Sequence, residues 1–382
     1  MQKWKRRLQK YPLVFLFFFL LFGFAVLDSQ WPKRPYSELE NRPLAQYPPI
    51  TAKGLATNKW MVNYESYVKD QFAFRDTWID LKSRTEGVLL KTENNGIWFG
   101  KDHYLFAKFL GLADETQYKD NVYALSKFAA RHPGQVDAII VPSASTVLQD
   151  KLPFAAPVLN EDSYLDTIFA QLKDAGVNTC DVRSTLREHA NDYIYYRTDH
   201  HWTSAGAYLA YAQYAKAKGL PLFDTAAAPA VEVPDFYGTH YSKARNYNVV
   251  TDTITYYDLP NTLTVSKHDP QNNVQIEEGG LYDTAKFDTR DKYAAFLRGN
   301  NGYSVLQGNG TGSILVVKDS YANSFIPYLV ADYATIGIVD YRDNVQKLDS
   351  IMAEGSYDTV LFLYSFDAFT TDRNFAAKII KP

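Results

Sequence analysis

Ile314-Leu315-Val316-Val317-Lys318-Asp319-Ser320-Tyr321-Ala322-Asn323 carries an apolar run straight into a serine. A short unbroken apolar run reads as a strand buried on both faces. A serine at the carboxyl end of such a strand sits where open α/β sheets place their chemistry. The residues after it, Tyr321-Ala322-Asn323-Ser324-Phe325-Ile326, read as a helix start. N–H groups at that helix start would stabilise an oxyanion beside the serine. The competing reading makes Ser320 a helix cap, because Asp and Ser are favoured caps. Ser313, Ser324 and Ser145 are less well placed as nucleophiles.

Asp199-His200-His201-Trp202 supplies the other parts of a nucleophilic acyl-transfer set. An imidazole takes the hydroxyl proton, and a carboxylate holds that imidazole in the right tautomer. The segment precedes a helix capped by Thr203 or Ser204, so an extended chain is expected there. Residues two apart then share a face. This pairs Asp199 with His201 as orienting carboxylate and general base, and it points His200 elsewhere. His200 then supports the site or packs, and Trp202 packs to fix the loop. Asp319 either supports Ser320 or caps the helix. Asn323 and Asn300 are candidate oxyanion donors, and Arg342 is a candidate for holding a substrate carbonyl or a sugar acid. Each has an ordinary turn or surface role as its alternative.

Outward from these segments the chain alternates. Helices are expected over Gln117–His132, Asp162–Ala175 and Thr203–Lys218. Strands are expected over Val136–Val141, Val177–Val182, Ser313–Val317, Thr335–Val339 and Thr359–Tyr364. This predicts an α/β fold, a mostly parallel sheet with helices on both faces. From Pro221 to about residue 310 the rhythm breaks, with strand-like stretches at 251–257 and 262–267. That region is expected to be an insertion or a cap on the sheet. Upstream, two helices are expected within 54–91. A hairpin is expected over 94–108, with Asn95-Gly96 as its turn and Gly100-Lys101-Asp102 as a second. Pro32, Pro35, Pro43, Pro48 and Pro49 make residues 28–53 an extended stalk.

Lys3, Lys5, Arg6, Arg7 and Lys10 precede an apolar run from Tyr11 to Leu27, long enough for one membrane span. A signal peptide is the alternative, but no small-x-small site follows the run. The basic flank places the N-terminus in the cytoplasm and the body outside the membrane, with Trp31 as an interfacial anchor. The expected division is 1–27 flank and anchor, 28–53 stalk, and 54–382 catalytic domain. A net charge of -3 leaves no nucleic-acid footprint. The single cysteine, Cys180, is expected to be a buried strand residue; it excludes an internal disulfide and disfavours zinc. No metal and no cofactor are expected. The aromatic share of 15% suits a carbohydrate-facing protein, because aromatic faces stack on sugar rings, and it equally suits a tyrosine-rich core.

The chain resembles the DHHW family of bacterial surface proteins, relatives of the alginate O-acetylation proteins, which carry a shorter Asp-x-His-Trp motif. The resemblance covers nearly the whole chain. It runs from Glu40-Asn41-Arg42-Pro43-Leu44 through Asp70-Gln71-Phe72-Ala73-Phe74-Arg75-Asp76, then Asn95-Gly96 and Lys101-Asp102-His103-Tyr104-Leu105-Phe106, to Val339-Asp340-Tyr341-Arg342. Asp-His-His-Trp and Lys-Asp-Ser-Tyr-Ala-Asn are its most specific parts. It implies an SGNH-hydrolase-like (flavodoxin-like) fold with permuted catalytic segments, since the Asp/His pair here precedes the serine. It implies Ser320 as nucleophile, His201 as base and Asp199 as orienter. Where the family often has a lysine, this chain has Pro142-Ser143-Ala144-Ser145-Thr146. The implied activity is a membrane-anchored O-acetyltransferase of a cell-envelope or exported polysaccharide. Its implied acyl donor is a multi-pass membrane-bound O-acyltransferase. Two alternatives stay open: a polysaccharide acetyl esterase with the same triad, and a non-enzymatic glycan-binding scaffold of an export complex.

Overall fold

Alternate residues of the Ile314–Val317 run enter two different cores. Ile314 and Val316 pack into one buried cluster, Leu315 and Val317 into another. The same alternation divides Ile139 and Val141 from Ala138 and Ile140, and Leu361 and Leu363 from Val360 and Phe362. This is the two-residue period of strands buried on both faces. The computed structural model describes residues 10–268, 274–344 and 346–380; the basic positions Lys3, Lys5, Arg6 and Arg7 lie outside them. The chain divides into two compact units, Met1–Leu90 and Lys91–Pro382.

In the first unit, Pro12–Gln30 is one apolar helix of 19 residues with mean hydropathy 2.2 and no buried residue, long and apolar enough to cross a membrane. Strands β1 (Tyr36–Ser37) and β2 (Arg42–Pro43) form a small antiparallel ladder. Helices Ala52–Ala56, Lys59–Gln71 and Arg75–Val88 follow. Two of the motif segments bind each other here. Arg42 grips the Asp70 carboxylate through both terminal nitrogens at 2.8 and 2.6 Å, and Arg75 reaches Glu40 at 2.8 Å. Trp31 lies with its ring 4.2 Å from that of Phe74.

The second unit opens on three short antiparallel strands, β3 (Glu93–Asn94), β4 (Ile97–Phe99) and β5 (Leu105–Ala107). The β3–β4 turn is Asn95-Gly96, both at positive φ, as a tight hairpin turn requires. The strands that follow are β6 (Val136–Val141), β7 (Asn178–Thr179), β8 (Ala230–Phe236), β9 (Asp252–Tyr257), β10 (Thr262–His268), β11 (Val274–Gly280), β12 (Tyr303–Gln307), β13 (Ser313–Lys318), β14 (Thr335–Val339) and β15 (Thr359–Ser365). Eight of them form the main sheet, in the order β11-β10-β12-β14-β13-β15-β6-β7. From β14 to β7 all pairs are parallel. Helix Ser204–Lys218 packs on one face, and helices Glu115–Arg131, Glu161–Asp174, Leu348–Gly355 and Arg373–Ile379 pack on the other.

Two expectations change. Residues 221–310 do not simply cap the sheet: β10, β11 and β12 extend it, pairing antiparallel beyond β14. Their alternation of polar and apolar residues fits an outer, half-exposed position in a sheet. Only β8 and β9 stand apart, as a separate ribbon. The strand expected over Val177–Val182 shortens to two residues. Asp181 accepts the N–H of Arg183 at 3.1 Å and turns the chain into the helix Arg183–Glu188. Cys180 is buried just past that strand, its N–H donating to Ala138.

Candidate active site

Ser320 follows the end of β13, among the carboxyl ends of the parallel strands. It is the first residue of a 3₁₀ helix, Ser320–Ser324. Pro327 lacks an N–H, which disfavours an α-helical continuation there. The cap is Asp319, whose carboxylate accepts from the N–H of Tyr321 at 2.9 Å and from the N–H and hydroxyl of Ser365 at 3.0 and 2.6 Å. Ser365 ends β15, so Asp319 ties the ends of two neighbouring strands together. Burial raises the Asp319 carboxyl against these donors. The Ser320 hydroxyl is left for another partner. It lies 2.8 Å from Nε2 of His201.

The Asp199–His201 segment is not extended. The Asp199 carboxylate accepts the N–H of His201, two residues on, at 3.0 Å, which makes an Asx turn. The same oxygen accepts from His201 Nδ1 at 2.5 Å. Because the chain turns, His200 does not point elsewhere: its Nδ1 lies 3.4 Å from that oxygen, and the two imidazole centroids are 3.8 Å apart. Asp199, His200 and His201 thus gather ligand-type atoms within 4.8 Å. The Nδ1 of His201 is committed to Asp199 as a donor. Burial alone would raise Asp199, but the charges on His200 and His201 outweigh it and hold the carboxyl well below its usual range. Burial and then the neighbouring His200 push His201 down to about 4, against the pull of Asp199. At neutral pH its ring is therefore uncharged, with a lone pair on Nε2 facing the serine.

Several residues that position this group carried no signal in the sequence. Most come from 221–310. Thr239 donates its N–H to the second Asp199 oxygen at 2.7 Å. Gly238 lies so close that a Cβ there would come within 2.2 Å of the Asp199 Cβ. Asp252 is fully buried and collects the N–H groups of Arg197 and Thr198, each at 2.8 Å, which pins the chain just before Asp199. Tyr293 stacks on His201, with centroids 4.0 Å apart and planes 14° apart, and donates to the carbonyl of Ser320 at 3.0 Å. A glycine before Thr239 was the one available hint of close approach. Tyr293 and Asp252 have no local pattern that marks them.

The remaining sequence candidates fall in two places. Trp202 is fully buried and donates its indole N–H to the Tyr321 carbonyl at 2.9 Å, so it links the two segments. Asn323 and Asn300 meet each other at 3.1 Å rather than Ser320, and Asn300 also accepts from Lys318 at 3.3 Å. Among the described residues, the buried Oδ1 of Asn323 has no hydrogen-bond partner. Arg342 is held by its own strand end, where Asp340 accepts its Nε at 2.8 Å and the Lys318 ammonium at 2.9 Å. These two cations hold Asp340 well below the usual carboxylate range despite burial.

A mixed α/β sheet whose strand ends gather a serine, a neutral histidine and a buried carboxylate defines the class of fold and site: an arrangement able to draw the proton from a serine hydroxyl. Within it, the chain belongs to the DHHW family: the profile described as DHHW protein matches residues 100–339. Among solved structures it is similar to a DHHW family protein from Eubacterium siraeum, at TM-score 0.62 and 20% identity over 76% of this chain and 98% of that one. It is also similar to Bacillus cereus PatB1 with a sulfonyl adduct, at TM-score 0.58 and 18% identity over 75% and 98%. The O-acetyltransferase domain of Pseudomonas putida AlgJ matches at TM-score 0.45 and 16% identity over 75% and 98%, too loosely to carry weight. At these identities the likeness is one of fold. No curated protein matches the chain.

Proposed function

We propose that this DHHW protein is a membrane-anchored, extracytoplasmic O-acyltransferase that moves acetyl groups onto a cell-envelope or exported polysaccharide through an ester on Ser320. The observation that carries the reading is the unbroken hydrogen-bond chain from Ser320 Oγ through His201 to Asp199, at 2.8 and 2.5 Å. The family's kinship with alginate O-acetylation proteins supplies the substrate class. An SGNH-hydrolase-like site with its Asp/His pair ahead of the serine fits the chain order.

In the first half-reaction Ser320 Oγ attacks the carbonyl carbon of the donor ester as Nε2 of His201 takes its proton. Among the described residues, no acceptor takes the backbone N–H of Ser320, which frees it as a donor to the oxyanion. The intermediate collapses, the donor's C–O bond breaks, and His201 returns the proton to the leaving oxygen. In the second half a sugar hydroxyl gives its proton to His201 and attacks the Ser320 ester. Its collapse leaves the acetyl group on the glycan and restores the Ser320 hydroxyl with that proton. A multi-pass membrane-bound acyltransferase is the proposed donor, as the resemblance to the alginate O-acetylation proteins implies.

The test is a trapped acyl-enzyme. An acetyl-phenol ester should add one acetyl group to Ser320, seen by mass spectrometry, and Ser320→Ala should lack it. An added glycan should then speed deacylation and become acetylated. Acetate released only to water, whatever glycan is offered, would make the protein an esterase; full activity in Ser320→Ala would end the catalytic reading.

A further inference from the structure

A cavity of about 260 Å³ lies beside the triad, where β6 and β15 end. Ser143 and Ser145 share a hydrogen bond at 2.8 Å on its polar side. The buried Glu161 accepts from the Ser143 hydroxyl at 2.5 Å and from its N–H at 3.0 Å. Ile97, Phe109 and Phe366 supply apolar surface to the same space. His200 and Tyr321, the chain neighbours of the base and of the nucleophile, line it too. Ser320 and His201 themselves do not.

The mixture of linings constrains the occupant. An acyl chain alone would find no use for a linked row of two hydroxyls and a carboxyl. A sugar ring has both kinds of surface, an apolar face and a rim of hydroxyls that donate and accept. The volume is below the roughly 300–1,000 Å³ of pockets for drug-sized ligands, so it holds a single ring rather than a run of them. A ring seated there is also not the one whose hydroxyl reaches Ser320, since neither reacting side chain faces the cavity.

We propose that this cavity seats one sugar unit of the acceptor chain, a neighbour of the unit that is acetylated, and so sets the register of the polymer against Ser320. The proposal rests on the acyl-transfer reading above. Its ligand is a pyranose-sized ring gripped by the Ser143–Ser145–Glu161 row. The enzyme therefore uses oligosaccharides better than single sugars, because a single sugar cannot fill the cavity and meet Ser320 together.

The experiment measures kcat/KM of the full chain in detergent, with an acetyl-phenol ester as donor. Glucose, cellopentaose, N-acetylglucosamine and chitopentaose are the acceptors, and the burst of Ser320 acylation is followed alongside. A pentasaccharide should outpace its monosaccharide. Ala107→Trp, which fills the cavity from its exposed rim, should cut the pentasaccharide value about tenfold or more and leave the burst in place. Lys243→Ala removes an exposed lining residue without adding bulk and should narrow the same advantage. A length preference that survives Ala107→Trp, or no length preference in the parent, overturns the proposal. So does a burst slowed by Ala107→Trp, which would assign the cavity to the donor. Absence of any burst on Ser320 instead removes the acyl-transfer reading itself, and the burst assay tells that failure apart.

Discussion

At the scale of single residues the two histidines make opposed predictions. His201 touches both Asp199 and Ser320, so His201→Ala should lose about 10³-fold or more in acyl transfer. His200→Ala should lose much less, but its pH profile should change. His201 must be neutral to act as a base, and burial with the charge on His200 lowers it to about 4. Activity in the parent should therefore persist well below the ordinary imidazole value of about 6.5 before an acid limb appears. Removing His200 removes a positive neighbour, so His201 binds its proton more readily and the acid limb should move to higher pH. A pH–rate profile of His200→Ala that is unshifted, or shifted to lower pH, would count against this coupling. That Asp199, His201 and Ser320 would be brought together was legible, because they stand in two motif-like segments at expected element ends. The place of His200 was not, because an extended chain and an Asx turn differ by one hydrogen bond that no residue pattern announces.

At the scale of elements, the region between residues 221 and 310 decides more than its irregular sequence suggested. Its strands widen the sheet, and its loops hold Asp199 and His201 from behind. Gly238→Ala would press a methyl group onto Asp199. It should lower kcat by about 10²-fold, as displacements near 1 Å do, while the fold survives by circular dichroism. Asp252→Ala strips the acceptor from two backbone N–H groups in the buried chain before Asp199. It should destabilise the protein by about 3 kcal/mol in urea unfolding, since each buried donor left unpaired costs about 1–3 kcal/mol. Wild-type stability in that variant would mean water replaces the carboxylate. The parallel strands were readable from apolar runs such as Val136–Val141 and Thr359–Tyr364. The antiparallel extension was harder to read because a half-exposed strand carries a weaker pattern.

At the scale of the whole molecule, the apolar helix Pro12–Gln30 is long and apolar enough to cross a membrane, and the proposed function makes it the anchor. Protease added to intact, wall-stripped cells should digest the chain from about residue 28 onward. Protection of that body while a known surface protein is cut would reverse the proposed orientation. Positions 119 residues apart, His201 and Ser320, meet through one hydrogen bond. The Ser320 hydroxyl therefore lacks its imidazole partner until the residues between them have folded. On the proposed acyl-transfer reading, reactivity of Ser320 becomes a clock for maturation. After dilution from denaturant, capacity to form the acetyl ester should return later than far-ultraviolet ellipticity, because distant contacts close after local ones. Ester formation that returned as early as ellipticity would mean the two segments dock before the sheet is complete.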